Sequence, residues 1–127
     1  MGETVLIVDD ETAILESVSG ILQDEGFSVV AANCSRDALA MIKKCNPSLV
    51  LLDVWMPDED GLTLLTRLKT LRPNMPVILI TGHGTIDTAV RAIRLGAVDF
   101  LEKPLSLDGL VQAVKGAIGN EVTKVDV

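Results

Sequence analysis

The stretch SLVLLDVWMPDEDG, Ser48 to Gly61, decides how the rest of the chain is read. Its first half, Leu49-Val50-Leu51-Leu52, is apolar without alternation and the length of a strand, which suits a strand covered on both faces in a parallel sheet. Asp53 follows at once. An ionised carboxylate beside a core is costly unless something pairs with it. The position is therefore either a solvated loop residue after a strand or a carboxylate kept there for chemistry.

Outward from this stretch the same kind of run recurs: Val5-Leu6-Ile7-Val8, Val29-Val30-Ala31-Ala32, Val77-Ile78-Leu79-Ile80, and Val98 to Leu101, the last interrupted by Asp99. Helical patterns lie between. Ile14, Val18, Ile21 and Leu22 share one stripe, as do Leu62, Leu65 and Leu68, and likewise Leu107, Val111, Val114 and Ile118. Ser35 and Ser106 stand where N-caps belong, and Gly26 and Gly96 where a left-handed residue ends a helix. Strand followed by helix, five times over, predicts an open, doubly wound α/β sheet. Right-handed crossovers then place helices on both faces and bring every strand's carboxyl end to one edge. The expected domain covers residues 1–119, and 120–127 (NEVTKVDV) read as a tail or the start of a linker.

Composition narrows the function classes. The 127 residues suit one domain with a single core, and with 48% hydrophobic but only 2% aromatic residues that core must be aliphatic. No apolar run is long enough to cross a bilayer and no secretory segment follows Met1, so a cytoplasmic protein without membrane contact is expected. Cys34 and Cys45 lack metal-ligand spacing and read as reduced thiols on or near one helix. A net charge of −7 and the shortage of aromatic rings argue against direct nucleic-acid contact.

The polar residues just beyond the strands can now be read together. Asp9, Asp10 and Glu11 follow the first strand, Asp53 the third, Thr81-Gly82-His83-Gly84 the fourth and Lys103-Pro104 the fifth. Ligands of open α/β sheets bind outside these strand ends. Carboxylates held close together repel and raise the pKa of at least one. A hard divalent cation removes the repulsion, and carboxylates with a backbone carbonyl and waters suit Mg²⁺, which also neutralises charge in phosphoryl transfer. Lys103 supplies a point charge for a phosphate or carboxylate oxygen, Thr81 a hydroxyl, and Gly82 room for an anion near the backbone. Asp53 is then a nucleophile able to form an aspartyl-phosphate. Singly, Asp9 could cap a helix, Lys103 could be solvated and Thr81 could begin a turn. Their convergence on one edge points to a site.

The stretches LIVDDE, LVLLDVWMPDEDG, VILITG and DFLEKP, in this order between Val5 and Ile118, resemble the receiver domain of two-component response regulators. The resemblance implies a flavodoxin-like five-stranded parallel sheet of order 2-1-3-4-5. It implies that Asp53 is the phosphoacceptor, that Asp9, Asp10, Asp53 and the Trp55 backbone carbonyl hold Mg²⁺, and that Thr81 and Lys103 bind the phosphoryl group. Lys103-Pro104 would be a cis peptide. Phe100 would be the switch aromatic, turning inward as Thr81 moves toward the phosphate. The implied phosphodonor is a sensor histidine kinase. The implied readout is a homodimer through the last helices and strands, or contact with a C-terminal output domain absent from this chain. TGHGTIDTAVRAIRLGAVDFLEKP further resembles receivers of σ54-dependent, NtrC-like activators, hence transcription regulation. Such a chain is a phosphoacceptor signalling domain rather than an enzyme, though it assists its own phosphorylation and dephosphorylation.

Two other readings compete. Haloacid dehalogenase-type phosphatases also use an aspartyl nucleophile, but they typically carry a second Asp two residues later, where this chain has Trp55. A flavodoxin-like cofactor carrier would want a phosphate-cradling loop after the first strand, where Asp9-Asp10-Glu11 repel phosphate. Two finer expectations concern the surroundings. Trp55 could restrict the water that hydrolyses the acyl phosphate, with His83 playing a passive part. On the fourth helix Ile86, Ala89, Val90 and Ile93 form a stripe expected to face the sheet, with Thr85, Asp87, Arg91 and Arg94 outside it. There Arg91 and Arg94 could pair with Asp99 or Glu102 of a second subunit.

Overall fold

The computed structural model describes residues 3–56, 58–82 and 85–126, with side chains as far as Gly119. His83 lies outside the described residues. Strands and helices alternate along the chain: β1 (Thr4–Val8), α1 (Thr12–Asp24), β2 (Ser28–Ala32), α2 (Ser35–Cys45), β3 (Leu49–Asp53), α3 (Gly61–Leu71), β4 (Val77–Thr81), α4 (Ile86–Arg94), β5 (Asp99–Glu102) and α5 (Leu107–Asp126). All pairings are parallel and the order is β2-β1-β3-β4-β5, as the resemblance implies.

The apolar runs become strands because every residue in them has a core to face. Side chains alternate between the two faces of a strand, and two hydrophobic layers result. Leu6, Val8, Val50, Leu52, Val77 and Leu79 pack under α2, α3 and α4, with Leu62, Leu64, Leu65 and Leu68 as the largest helical contribution. Val5, Ile7, Leu49, Leu51, Ile78 and Ile80 pack under α1 and α5, against Val18, Leu22, Leu110 and Val114. β3 and β4 are buried throughout, whereas the edge strands β2 and β5 are largely half-exposed. Fully burying each such leucine or isoleucine contributes about 1.5–3 kcal/mol. The glycine stops behave as expected: Gly26 and Gly96 take φ of 95° and 110°, a region that favours glycine.

Three local readings are corrected. Ser35 is not an N-cap. α2 starts at Ser35 after Cys34, whose side chain makes no cap, and Ser35 instead meets the Asp58 carboxylate from another loop. On α5 Leu107 is exposed and Leu110 takes the core position, because Ser106 caps the helix by accepting from Gly109 N and so sets its phase. The same helix continues past Gly119 to Asp126, through most of the stretch expected to be a tail or the start of a linker. The apolar stripe of α4 faces solvent: Ile86 is 83% and Ile93 51% exposed, and Val90 is exposed too, while Ala92 is the buried contact and Thr88 and Ala89 are half-buried. The side of α4 turned to the core is carried by the small residue Ala92.

Candidate functional site

The register of the sheet delivers the polar residues to one edge. Val8 pairs with Leu52 and Asp53 with Ile80, while Thr81 pairs with Glu102, so the chain exits β1, β3, β4 and β5 at nearly the same level. Asp9 is held there by its N–H, which donates to the Ala32 carbonyl at 3.1 Å. Asp9 and Asp53, though acids, are only 2% and 3% exposed. One carboxylate oxygen from each of Asp9, Asp10 and Asp53 lies within 4.8 Å of the others.

Lys103 closes the cluster. The N–H of Lys103 donates to the Thr81 carbonyl at 2.8 Å, which ties the end of β5 to β4 and brings the ammonium inward. Nζ lies 2.7 Å from the Glu11 carboxylate, 3.0 Å from Asp9 Oδ2 and 3.7 Å from Asp53 Oδ1. Lys103-Pro104 is a cis peptide, as expected. Thr81, fully buried, stands on the neighbouring strand. The alternation of β4 and β5 places Thr81 and Phe100 on the sheet face that α4 covers, with Phe100 half-buried against that core layer.

The electrostatics follow from burial and charge. Burial first, and then the Asp9 charge, push the Asp53 carboxyl up to about 6; Lys103 pulls the other way without cancelling them. Burial disfavours the Lys103 ammonium, yet the Glu11, Asp9 and Asp53 carboxylates outweigh it and raise its pKa. Lys103 stands 3.0 Å from Asp9 Oδ2 as an ion pair, and that buried oxygen has no hydrogen-bond donor among the described residues. A buried acceptor without a donor, next to two further carboxylates, is a set of hard oxygen ligands suited to a small divalent cation. The residues present therefore fit Mg²⁺.

The loop from β3 to α3 is pinned at several points. Gly61 N–H donates to the Val54 carbonyl at 2.8 Å, and a Cβ at Gly61 would stand 2.6 Å from the Asp53 carbonyl oxygen. Only glycine allows α3 to begin this close to the strand that carries Asp53. Asp60 caps α3 by accepting from Leu62 N at 2.8 Å. Trp55, two residues after Asp53, is 59% exposed. Three residues of this region escaped the sequence reading in their structural roles: Glu11 as the nearest partner of Lys103, Gly61 as a steric necessity, and Asp58 as the partner of Ser35. Glu11 and Gly61 lay inside the quoted motifs; the contact of Asp58 with a helix 23 positions away left no local signal.

Residues 5–115 match the model of the response regulator receiver domain. The chain is 47% identical over 120 residues to the nitrogen assimilation regulatory protein NtrX of Azorhizobium caulinodans, covering 93% of this chain and 26% of that protein. The crystal structure of NtrX from Brucella abortus in complex with ADP superposes with a TM-score of 0.91 at 44% identity, over 99% of this chain and 29% of that one. The solution structure of the beryllofluoride-activated NtrC4 receiver domain dimer matches 92% of this chain and 97% of that one, at 44% identity and a TM-score of 0.89. These relatives agree with the NtrC-like subgroup expected from the stretch Thr81–Pro104. The chain spans about a quarter of the length of the curated relatives it matches. With the order of its strands, the acidic cluster at their ends and these likenesses together, the chain belongs to the family of response regulator receiver domains.

Proposed function

We propose that this chain is phosphorylated on Asp53 by a sensor histidine kinase, with Mg²⁺ held by Asp9, Asp10, Asp53 and the Trp55 carbonyl. The observation that carries this reading is the convergence of Asp9, Asp10 and Asp53 within 4.8 Å beside the Lys103 ammonium. When bound there, Mg²⁺ supplies positive charge to the phosphoryl oxygens. Asp53 attacks as the carboxylate: a P–O bond to it forms as the P–N bond of phosphohistidine breaks, and the imidazole leaves with the electron pair. Lys103 keeps Asp53 ionised near neutral pH against the burial and the Asp9 charge that oppose it. It then pairs with a phosphoryl oxygen, and the Thr81 hydroxyl donates to another.

Movement of Thr81 toward the phosphoryl group frees space on the face it shares with Phe100, which rotates inward. The surface of α4, β5 and α5 changes, a population shift that the added charge favours. A receiver of this subgroup controls a C-terminal output domain in transcription regulation, acts in the cytoplasm, and makes no nucleic-acid contact of its own. Among the described residues no helix is long and apolar enough to cross a membrane. Residues 1–119 form the receiver proper and 120–127 lead away from it as a tail or the start of a linker. The exposed Ile86, Val90 and Ile93 favour association of two copies through α4 over pairing by surface charges. Trp55, exposed beside the site, slows hydrolysis of the phosphoryl group by restricting water.

The chain is a signalling domain that assists its own phosphorylation and dephosphorylation, and it holds one phosphoryl group at a time. Incubation with acetyl phosphate and Mg²⁺ should give one acid-stable, base-labile phosphoryl group per chain, absent in Asp53→Asn. Multiple turnover of unrelated phosphate esters would overturn this reading in favour of a phosphatase.

A further inference from the structure

Between the site and α2 lies a contact that the phosphoryl chemistry does not use. Asp58, in the loop between β3 and α3, accepts from the Ser35 N–H through both carboxylate oxygens, at 3.2 and 3.1 Å, and from Ser35 Oγ at 2.7 Å. Ser35 is buried, and the Cys34 side chain before it leaves the first turn of α2 uncapped. The Asp58 carboxylate therefore fills the place of an N-cap from a different part of the chain, where a helix start favours negative charge. These hydrogen bonds also hold the Asp58 pKa down.

The connection has a consequence for the loop. Gly61 N–H ties its far end back to Val54, and Asp60 anchors the start of α3. Trp55 and Met56 stand between that tie and Asp58, and Met56 packs against the same core layer as α2. Among the described residues of the loop, Asp58 alone makes a side-chain hydrogen bond to a helix other than α3, three residues after Trp55.

We propose that Asp58 is a positioning residue for the metal site: its grip on Ser35 sets the path of the loop, and so the direction of the Trp55 carbonyl. This rests on the assignment of Mg²⁺ to Asp9, Asp10, Asp53 and that carbonyl. Groups that orient a metal ligand from outside its shell typically govern affinity by about 10–100-fold.

The test is a Mg²⁺ titration by calorimetry, with thermal unfolding without metal measured alongside. Asp58→Ala should weaken Mg²⁺ binding about tenfold, the low end for such residues. Asp58→Asn keeps acceptor oxygen for Ser35 without the charge and should retain most of the affinity. The double variant Cys34→Asp/Asp58→Ala restores a cap to α2 from its own chain position and should recover the thermal stability but not the affinity. Three results overturn the proposal: affinity unchanged in Asp58→Ala, equal losses in the Asn and Ala variants (a charge effect), or affinity recovered in the double variant (a helix cap only). If the wild type itself binds no Mg²⁺, the metal assignment fails and this inference fails with it; in the other three cases the assignment stands.

Discussion

Asp53 combines two demands that conflict in the absence of metal. Burial and the neighbouring Asp9 raise its pKa from 3.8 to about 6, so its folded form holds a proton at pH values where the unfolded chain has released it. Its contribution to stability is fully present below about pH 4 and is lost as pH rises through 6. Asp53→Asn removes that penalty. Without metal, it should melt higher than wild type at pH 7, by a stabilisation on the order of 2 kcal/mol, and the difference should vanish near pH 4. Adding Mg²⁺ should narrow the gap at pH 7 by stabilising wild type alone, because ligand bound only to the folded state adds to its stability. Thermal unfolding at the two pH values, with and without Mg²⁺, checks both statements. The acids and Lys103 were legible in the sequence because each directly follows a run that could only be a strand. The Glu11–Lys103 pair was not, since it joins residues 92 positions apart.

The elements around the site are held by packing on one side and by close backbone approach on the other. Leu52 is fully buried in the layer under α2 and α3, next to the strand end that carries Asp53. Leu52→Ala should destabilise the fold by about 2–5 kcal/mol in urea titrations, the range for leucine truncation in a packed core. Gly61→Ala puts a methyl group 2.6 Å from the Asp53 carbonyl oxygen and the Val54 Cα, so backbone must shift. It should cost about 1–3 kcal/mol and also weaken Mg²⁺ binding, whereas Gly20→Ala, with open space at that position, should do neither. Strand identity could be read from sequence because an unbroken apolar run needs cover on both faces. Helix phase was harder. Leu107 and Leu110 are both apolar near the start of α5, and only the Ser106 cap and the layer beneath decide which one is buried.

For the molecule as a whole, the outward stripe of α4 matters most. Ile86, Val90 and Ile93, with Val98 and Leu107 also exposed, leave apolar side chains on the side of the sheet that ends in β5. Association upon activation should bury them. Light scattering should give the monomer mass without phosphoryl mimic and twice that mass with beryllofluoride and Mg²⁺. Ile86→Ser/Ile93→Ser should remain monomeric under both conditions while still taking up phosphoryl groups on Asp53. A charge-driven dimer through Arg91 and Arg94 would instead survive these substitutions and dissolve in salt.

The sequence by itself determined the parallel sheet, the count of its strand–helix units and the edge on which the acids collect. Each of these follows from local periodicity, from strand length and from the single hand of the crossovers. Tertiary structure alone decided which side of α4 meets the core, which leucine of α5 is buried and what caps α2. Periodicity locates an apolar stripe but carries no information on what lies opposite it. A bond between Asp58 and Ser35 exists only once β3 and α2 have docked on the same sheet.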